Sequence, residues 1–243
     1  ELFGSSALWI PSINPGYVLS KRISDEVKGY TRHNGTPPAI VLLENHGITV
    51  AAKRRDAIHE LHRTLLEAVL GRIVREPDMA AVAADYGLVA QVSAALTEAY
   101  HTVAGAEPSI LFEATAELLH RAASREAMAP LMEPFTPDHI VYAGHAPLYL
   151  EESAGVGRRL ADAAREQEVP PKCVVIKDLG LFTLGSTPKA AETARMLFRD
   201  ALKVAAYAES FGGAQGMAPD QVEFIRGWEV ERFRAKVSLE AEE

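Results

Sequence analysis

Eight histidines are the side chains of this chain best suited to metal or proton chemistry, and His46 has a setting of its own. It lies in Glu44-Asn45-His46-Gly47, directly after the apolar run Ile40-Val41-Leu42-Leu43. A strand that ends in Asn-His-Gly delivers an imidazole to a sheet edge, where a metal ion can reach it. Gly47 lets the backbone turn sharply and adds no side chain. A catalytic zinc usually takes three protein ligands and keeps one position open, so His46 would be one ligand of a larger set. Taken alone, such a histidine reads as structural and hydrogen-bonded. His59 and His62 stand three apart on a helix, but a two-histidine helical site wants a third ligand and a glutamate placed as base. Glu60 points off the face they share, and both read as solvated. His145 sits in a Gly-His-Ala-Pro turn with no partner histidine two or four residues away, and reads as structural. His33, His101, His120 and His139 are isolated. No Ser-His-Asp order, phosphate loop, dinucleotide glycine fingerprint or paired-cysteine site is present, and no catalytic residue is assigned.

The strand and turn that carry His46 occur twice. Pro37-Pro38 pairs with Pro170-Pro171, Val41 with Val174, Gly47 with Gly180 and Ala57 with Ala190. In that register His46 meets Leu179 (179 − 46 = 133). Upstream, Ile13-Asn14-Pro15-Gly16-Tyr17-Val18 echoes His145-Ala146-Pro147-Leu148-Tyr149-Leu150 at an offset of 132, with one inserted residue restoring 133 in the following helix. The shared order is a Pro-x-Tyr loop, helix, Pro-Pro, strand, x-Gly turn, strand and helix. It reads as an internal structural duplication, too long in period for a solenoid. One unit keeps a residue capable of chemistry. The other keeps the shape without it.

The elements around these turns follow from periodicity and punctuation. Residues 1–19 read as an ordered loop rich in Trp, Pro and Gly. Val18, Leu19, Ile23 and Val27 predict a helix over 18–32. Residues 39–43 and Ile48-Thr49-Val50 predict strands. Ile58, Leu61, Leu65, Val69 and Ile73 predict a helix over 56–73 with one apolar stripe. The stretch 76–128 reads as helical, with segments 90–104 and 109–128 broken by Gly105 and Pro108. Within it Glu113, Glu117 and Arg121 read as an exposed ion-pair face. Ile140-Val141-Tyr142, 172–176 and 181–184 predict strands. Thr187 and Pro188 open a helix to about 210. The expected division is 1–75, 76–130 as a helical insert, and 131–243 as the second unit with its tail.

Composition narrows the setting. The 243 residues are 48% hydrophobic and 24% charged, with a net charge of −8. An acidic chain is poorly matched to nucleic acid or an anionic membrane, since both need a basic face. Lys53-Arg54-Arg55, the tightest basic cluster, reads as a solvated loop before a helix. The single Cys173 lies in an apolar run and reads as a small buried hydrophobe. With no apolar stretch near ~20 residues, no transmembrane span is expected, and a cytoplasmic location fits. The first residue is Glu1, and the chain is expected to begin inside a longer gene product.

Two stretches carry a family resemblance: Ala7-Leu8-Trp9-Ile10-Pro11-Ser12-Ile13-Asn14-Pro15-Gly16-Tyr17, and Ile40 to Gly47 with its Asn-His-Gly. Residues 1–73 resemble the C-terminal part of a class II aldolase/adducin domain, in the long-form branch similar to rhamnulose-1-phosphate aldolase and aldolase–dehydrogenase proteins. Residues 135–230, with Gly180-Leu181-Phe182-Thr183-Leu184-Gly185, resemble the C-terminal region of the same proteins. The resemblance implies an α/β fold, an α/β/α arrangement around a mostly antiparallel sheet, here as a C-terminal part plus a degenerate repeat. It implies a divalent metal, usually zinc, with His46 as one ligand, and a lyase of carbohydrate metabolism that cleaves a sugar or sugar phosphate by retro-aldol chemistry. It also implies a homo-oligomer. The family's His-x-His motif and catalytic glutamate lie upstream of the matched stretch, and no His-x-His occurs in this chain. The chain by itself is therefore expected to be inactive. The rival readings are a non-catalytic adducin-like assembly module, and a decarboxylase or epimerase of the same superfamily.

Overall fold

The computed structural model describes residue 3 and residues 6–229. The fold is mixed α/β and contains two small mixed sheets among these residues. The first is built from β1 (Ala7–Ile10), β2 (Ile40–Leu43) and β3 (Gly47–Val50), in that order, with β1 parallel to β2 and β3 antiparallel to it. Helix α1 (Tyr17–Asn34) joins β1 to β2, and α2 (Arg55–Leu70) follows β3. The chain then forms α3 (Tyr86–Ala104), β4 (Ser109–Glu113), α4 (Ala116–Ala122) and α5 (Arg125–Met128), then a π-helical turn over His139–Ala143. It ends with β5 (Leu148–Leu150), α6 (Val156–Gln167), β6 (Cys173–Ile176), β7 (Gly180–Gly185), α7 (Pro188–Ala208) and α8 (Pro219–Gly227). The second sheet has the order β4-β7-β6-β5, with only β5 and β6 parallel.

The two sheets share one hydrogen-bond plan. Leu43 faces Gly47 as Ile176 faces Gly180. Both turns place a polar residue in the left-handed region (Asn45 φ 54°, Asp178 φ 58°) and then a glycine near φ 150° (Gly47 150°, Gly180 147°). The N–H of His46 donates to Leu43 O and that of Leu179 to Ile176 O, each at 3.1 Å. The same plan corrects the upstream alignment. Glu44 N–H donates to Ile10 O (3.0 Å) as Lys177 N–H donates to Leu150 O (2.9 Å), so Ile10 corresponds to Leu150. Residues 148–150 are strand β5, not the counterpart of the Pro15–Tyr17 loop. The offset falls from 140 (150 − 10) to 133 because α6 has 12 residues where α1 has 18, and the loop before it is one residue shorter. A shorter helix and loop, not a single insertion, separate the units.

The second sheet is covered on both faces. Side chains of a strand alternate between faces. Cys173, Val175 and Leu181 face a core with Leu118, Phe198 and Leu202 of α4 and α7. Val174, Ile176 and Phe182 face Val92, Leu96 and Leu160 of α3 and α6. The segment expected as a helical insert is thus part of this unit. Within it, 109–128 is not one helix. Ser109-Ile110-Leu111-Phe112-Glu113 holds large apolar side chains at strand spacing and pairs with the edge of β7. Thr115 and Ser124 then cap α4 and α5 by accepting from Leu118 N–H and Ala127 N–H. Ile140-Val141-Tyr142, expected as a strand, lies in the π-helical turn, where Ile140 packs with Met217 and Ile225. A short apolar run carries no period long enough to separate strand from helix.

The first sheet has less cover. No residue of α2 is fully buried, and Ile58, Leu61, Leu65, Val69 and Ile73 stay half-buried. Their counterparts at the same offset, Ala191, Ala194, Phe198, Leu202 and Ala206, are all buried. A Cβ on Gly180 would lie 2.6 Å from Glu113 O of β4, whereas a Cβ on Gly47 would meet nothing within 4 Å. Both glycines meet the turn's positive φ, but only Gly180 also admits a neighbouring strand.

Candidate functional site

His46 stands on the tight turn between β2 and β3, and the turn is tethered at three points. Asn45 Nδ2 donates to Phe135 O (3.1 Å) and Gln215 O (3.0 Å), which joins the turn to the second unit. Glu44 Oε2 accepts from Ser12 N–H at 2.8 Å. Ser12 Oγ in turn lies 2.8 Å from Gln221 Oε1. The His46 imidazole is exposed and borders a cleft of about 600 Å³ between the units. Leu19 and Ile23 of α1 line one side, and Pro137, Asp138 and Asp200 line the other. At the equivalent turn Leu179 is buried in the α3/α6 core. One backbone plan therefore serves an exposed polar tip in one unit and an apolar anchor in the other.

Asp200 has a partner across the cleft wall. Its Oδ2 lies 3.4 Å from Nε2 of the buried His139, and that contact outweighs burial and holds the carboxyl below its usual range. Among the described residues, no three His, Cys, Asp or Glu side chains come together in a group able to hold a metal ion. The residues present around His46 do not make a zinc site by themselves. His59 and His62 are exposed on α2, where Glu60 pairs with Arg63. His33, His101 and His120 are exposed, and His139, isolated in sequence, is buried. His145 is half-buried, and burial pulls its pKa down. Lys53, Arg54 and Arg55 are exposed, and Arg54 is paired with Asp56. Cys173 is fully buried, and burial pushes its thiol up to about 12, the behaviour of an inert core residue.

The expected exposed face of Glu113, Glu117 and Arg121 is instead internal. The Glu117 side chain is 1% exposed. It accepts from Arg121 Nε at 3.0 Å and from Arg75 Nη2 at 3.0 Å. Arg75 and Arg121 both also reach Glu209 at the end of α7. Glu113 lies at the end of β4 and accepts from Arg199 at 2.8 Å. The helical spacing of Glu117 and Arg121 was visible in the sequence. The distant Arg75 and Glu209 that make the cluster internal were not.

No protein-family model matches the chain, and no curated protein matches it. No helix among the described residues is long and apolar enough to cross a membrane.

Proposed function

We propose that this chain is part of a metal-dependent, class II aldolase-like lyase that cleaves a sugar or sugar phosphate in a retro-aldol reaction. The observation that carries the reading is His46: an exposed imidazole on an Asn-His-Gly turn, held over a cleft of about 600 Å³. The resemblance of residues 7–17 and 40–47 to the family supports it. A divalent metal, zinc by that resemblance, would act as a Lewis acid on the substrate oxygens. Since the described residues supply no complete ligand set, His46 contributes one position and the others come from outside them. The cleft walls offer apolar contact from Leu19 and Ile23 and carboxylates from Asp138 and Asp200 for a polyol.

The test is elemental analysis of the protein expressed from its full gene, beside a His46→Ala variant. About one zinc per subunit, lost in the variant, supports a metal-ligand role and justifies an aldolase screen. For the 243-residue chain alone we expect neither tight stoichiometric metal nor retro-aldol activity. Finding both in the chain alone would overturn the incomplete-site reading.

The half-buried apolar stripe of α2 favours the second reading, an adducin-like assembly module. No metal in either full-gene protein would select it.

A further inference from the structure

A second cavity, of about 590 Å³, lies within the second unit and shares no lining residue with the His46 cleft. Val141 of the π-helical turn, Pro171, Leu184 and Tyr100 give it largely apolar walls. Lys172, the residue before β6, is the lysine that lines it. Its Nζ donates to Val141 O at 2.7 Å, and no carboxylate stands within ion-pair distance of it among the described residues. The acidic groups on the same cavity are Glu168 and Glu223, and Glu223 is taken by Arg226 at 2.8 Å. Arg226 itself lines the cavity and also donates to Gln167 O at 2.7 Å. Tyr100 is the remaining titratable group facing the space.

This arrangement is unusual for a lysine. A half-buried ammonium normally finds a carboxylate, because desolvation disfavours its charge. Among the described residues one carbonyl is its acceptor, and burial draws the pKa of Lys172 down. A partly desolvated amine holds its lone pair free at lower pH and becomes a nucleophile. The equivalent position in the first unit is Ala39, so the amine is not required by the shared fold.

We propose that this cavity is a carbonyl-binding site in which Lys172 Nζ condenses with a small uncharged aldehyde or ketone. The neutral amine forms a C–N bond to the carbonyl carbon, and the carbonyl π pair moves to oxygen, which takes a proton. The carbinolamine then loses that oxygen as water and leaves a C=N bond. Amine and carbonyl are consumed, imine and water are formed, and no oxidant or reductant takes part. Arg226 is held by Glu223 and by Gln167 O, and Glu168 adds negative charge, so the largely apolar lining suits an uncharged carbonyl compound and not an anionic one.

The experiment uses propanal with the intact chain at neutral pH, borohydride reduction to trap the imine, and peptide mapping by mass spectrometry. The expected result is an adduct that forms on Lys172 before any other lysine, with a pH profile shifted to lower pH than theirs. Lys172→Arg keeps a long basic side chain that cannot form the imine, and is expected to lose that adduct while its melting curve stays cooperative. Equal labelling of the exposed Lys21, Lys28 and Lys53, or an unlabelled Lys172, overturns the proposal. Because the mapping is done on the wild-type chain, a variant that fails to fold does not protect the idea.

Discussion

The two sheets differ in what covers them, not in how they are wired. Leu43–Gly47 and Ile176–Gly180 close identical turns, yet β3 is almost wholly exposed while every residue of β7 is buried. The difference traces to α3, β4, α4 and the π-helical turn, which wrap the second unit on both faces. Among the described residues the first unit has no such wrap. The comparison teaches that a turn and its flanking strands are set locally, by Asn or Asp at positive φ followed by glycine. Whether the tip residue carries chemistry or anchors a core is set by cover. His46 is free to be polar because its turn opens on a cleft, and Leu179 is apolar because its turn is sealed.

The sharpest way to break this comparison is a matched pair of truncations. Phe198→Ala should cost roughly 3–5 kcal/mol, because the cavity forms in a sealed core. Leu65→Ala, its counterpart on α2, should cost under about 1 kcal/mol, since the site is already half open to water. Urea unfolding of both variants measures the gap. Equal losses would mean that α2 is covered in solution.

The next effect belongs to the Glu117 cluster. Glu117→Gln leaves Arg121 buried beside a neutral partner and should cost about 3 kcal/mol by urea unfolding. Burial opposes the Glu117 charge, but the bonds from Arg75 and Arg121 outweigh it and hold the carboxyl below its ordinary value of 4.5. A carboxyl depressed in the folded state stabilises the fold above its unfolded pKa. That stability is lost as pH falls through the folded value. The urea midpoint should therefore drop with acid below pH 4.5, and less steeply in Glu117→Gln.

The smallest expected effects sharpen the turn comparison itself. Leu179→His buries an imidazole among Val89, Leu160 and Phe182, and should cost about 1–3 kcal/mol. His46→Leu should change stability by no more than about 0.5 kcal/mol. Thermal melts of the two exchanges give the answer, and a large loss from His46→Leu would show that the imidazole has a structural partner.

Much of this was legible in the sequence, and the limits are physical. Strands β2, β3, β6 and β7 announced themselves as short apolar runs on either side of the x-Gly turns at Gly47 and Gly180. The pairing of His46 with Leu179 followed from Gly47 and Gly180, whose role is a backbone angle and so survives in sequence. Pro15 and Pro147 misled, because a Pro-x-Tyr string carries no such constraint: one copy starts a helix and the other a strand. Strand β4 read as helix, since its pairing with β7 lies far along the chain. The cluster around Glu117 read as surface for the same reason, and the stripe of α2 did not show how open it stays, because an apolar pattern does not report its cover. The cleft beside His46 and the amine of Lys172 are both products of distant segments meeting.

The thin cover of the first sheet also sets a clock. Backbone amides exchange with solvent when the structure around them opens, and opening costs least where few apolar side chains must be exposed. Sheet β1-β2-β3 can open while β4-β7-β6-β5 stays shut, so amides near His46 should exchange long before those of Val174 or Phe182. One polypeptide then keeps two rhythms, a quick one at the exposed turn of His46 and a slow one at the sealed turn of Leu179.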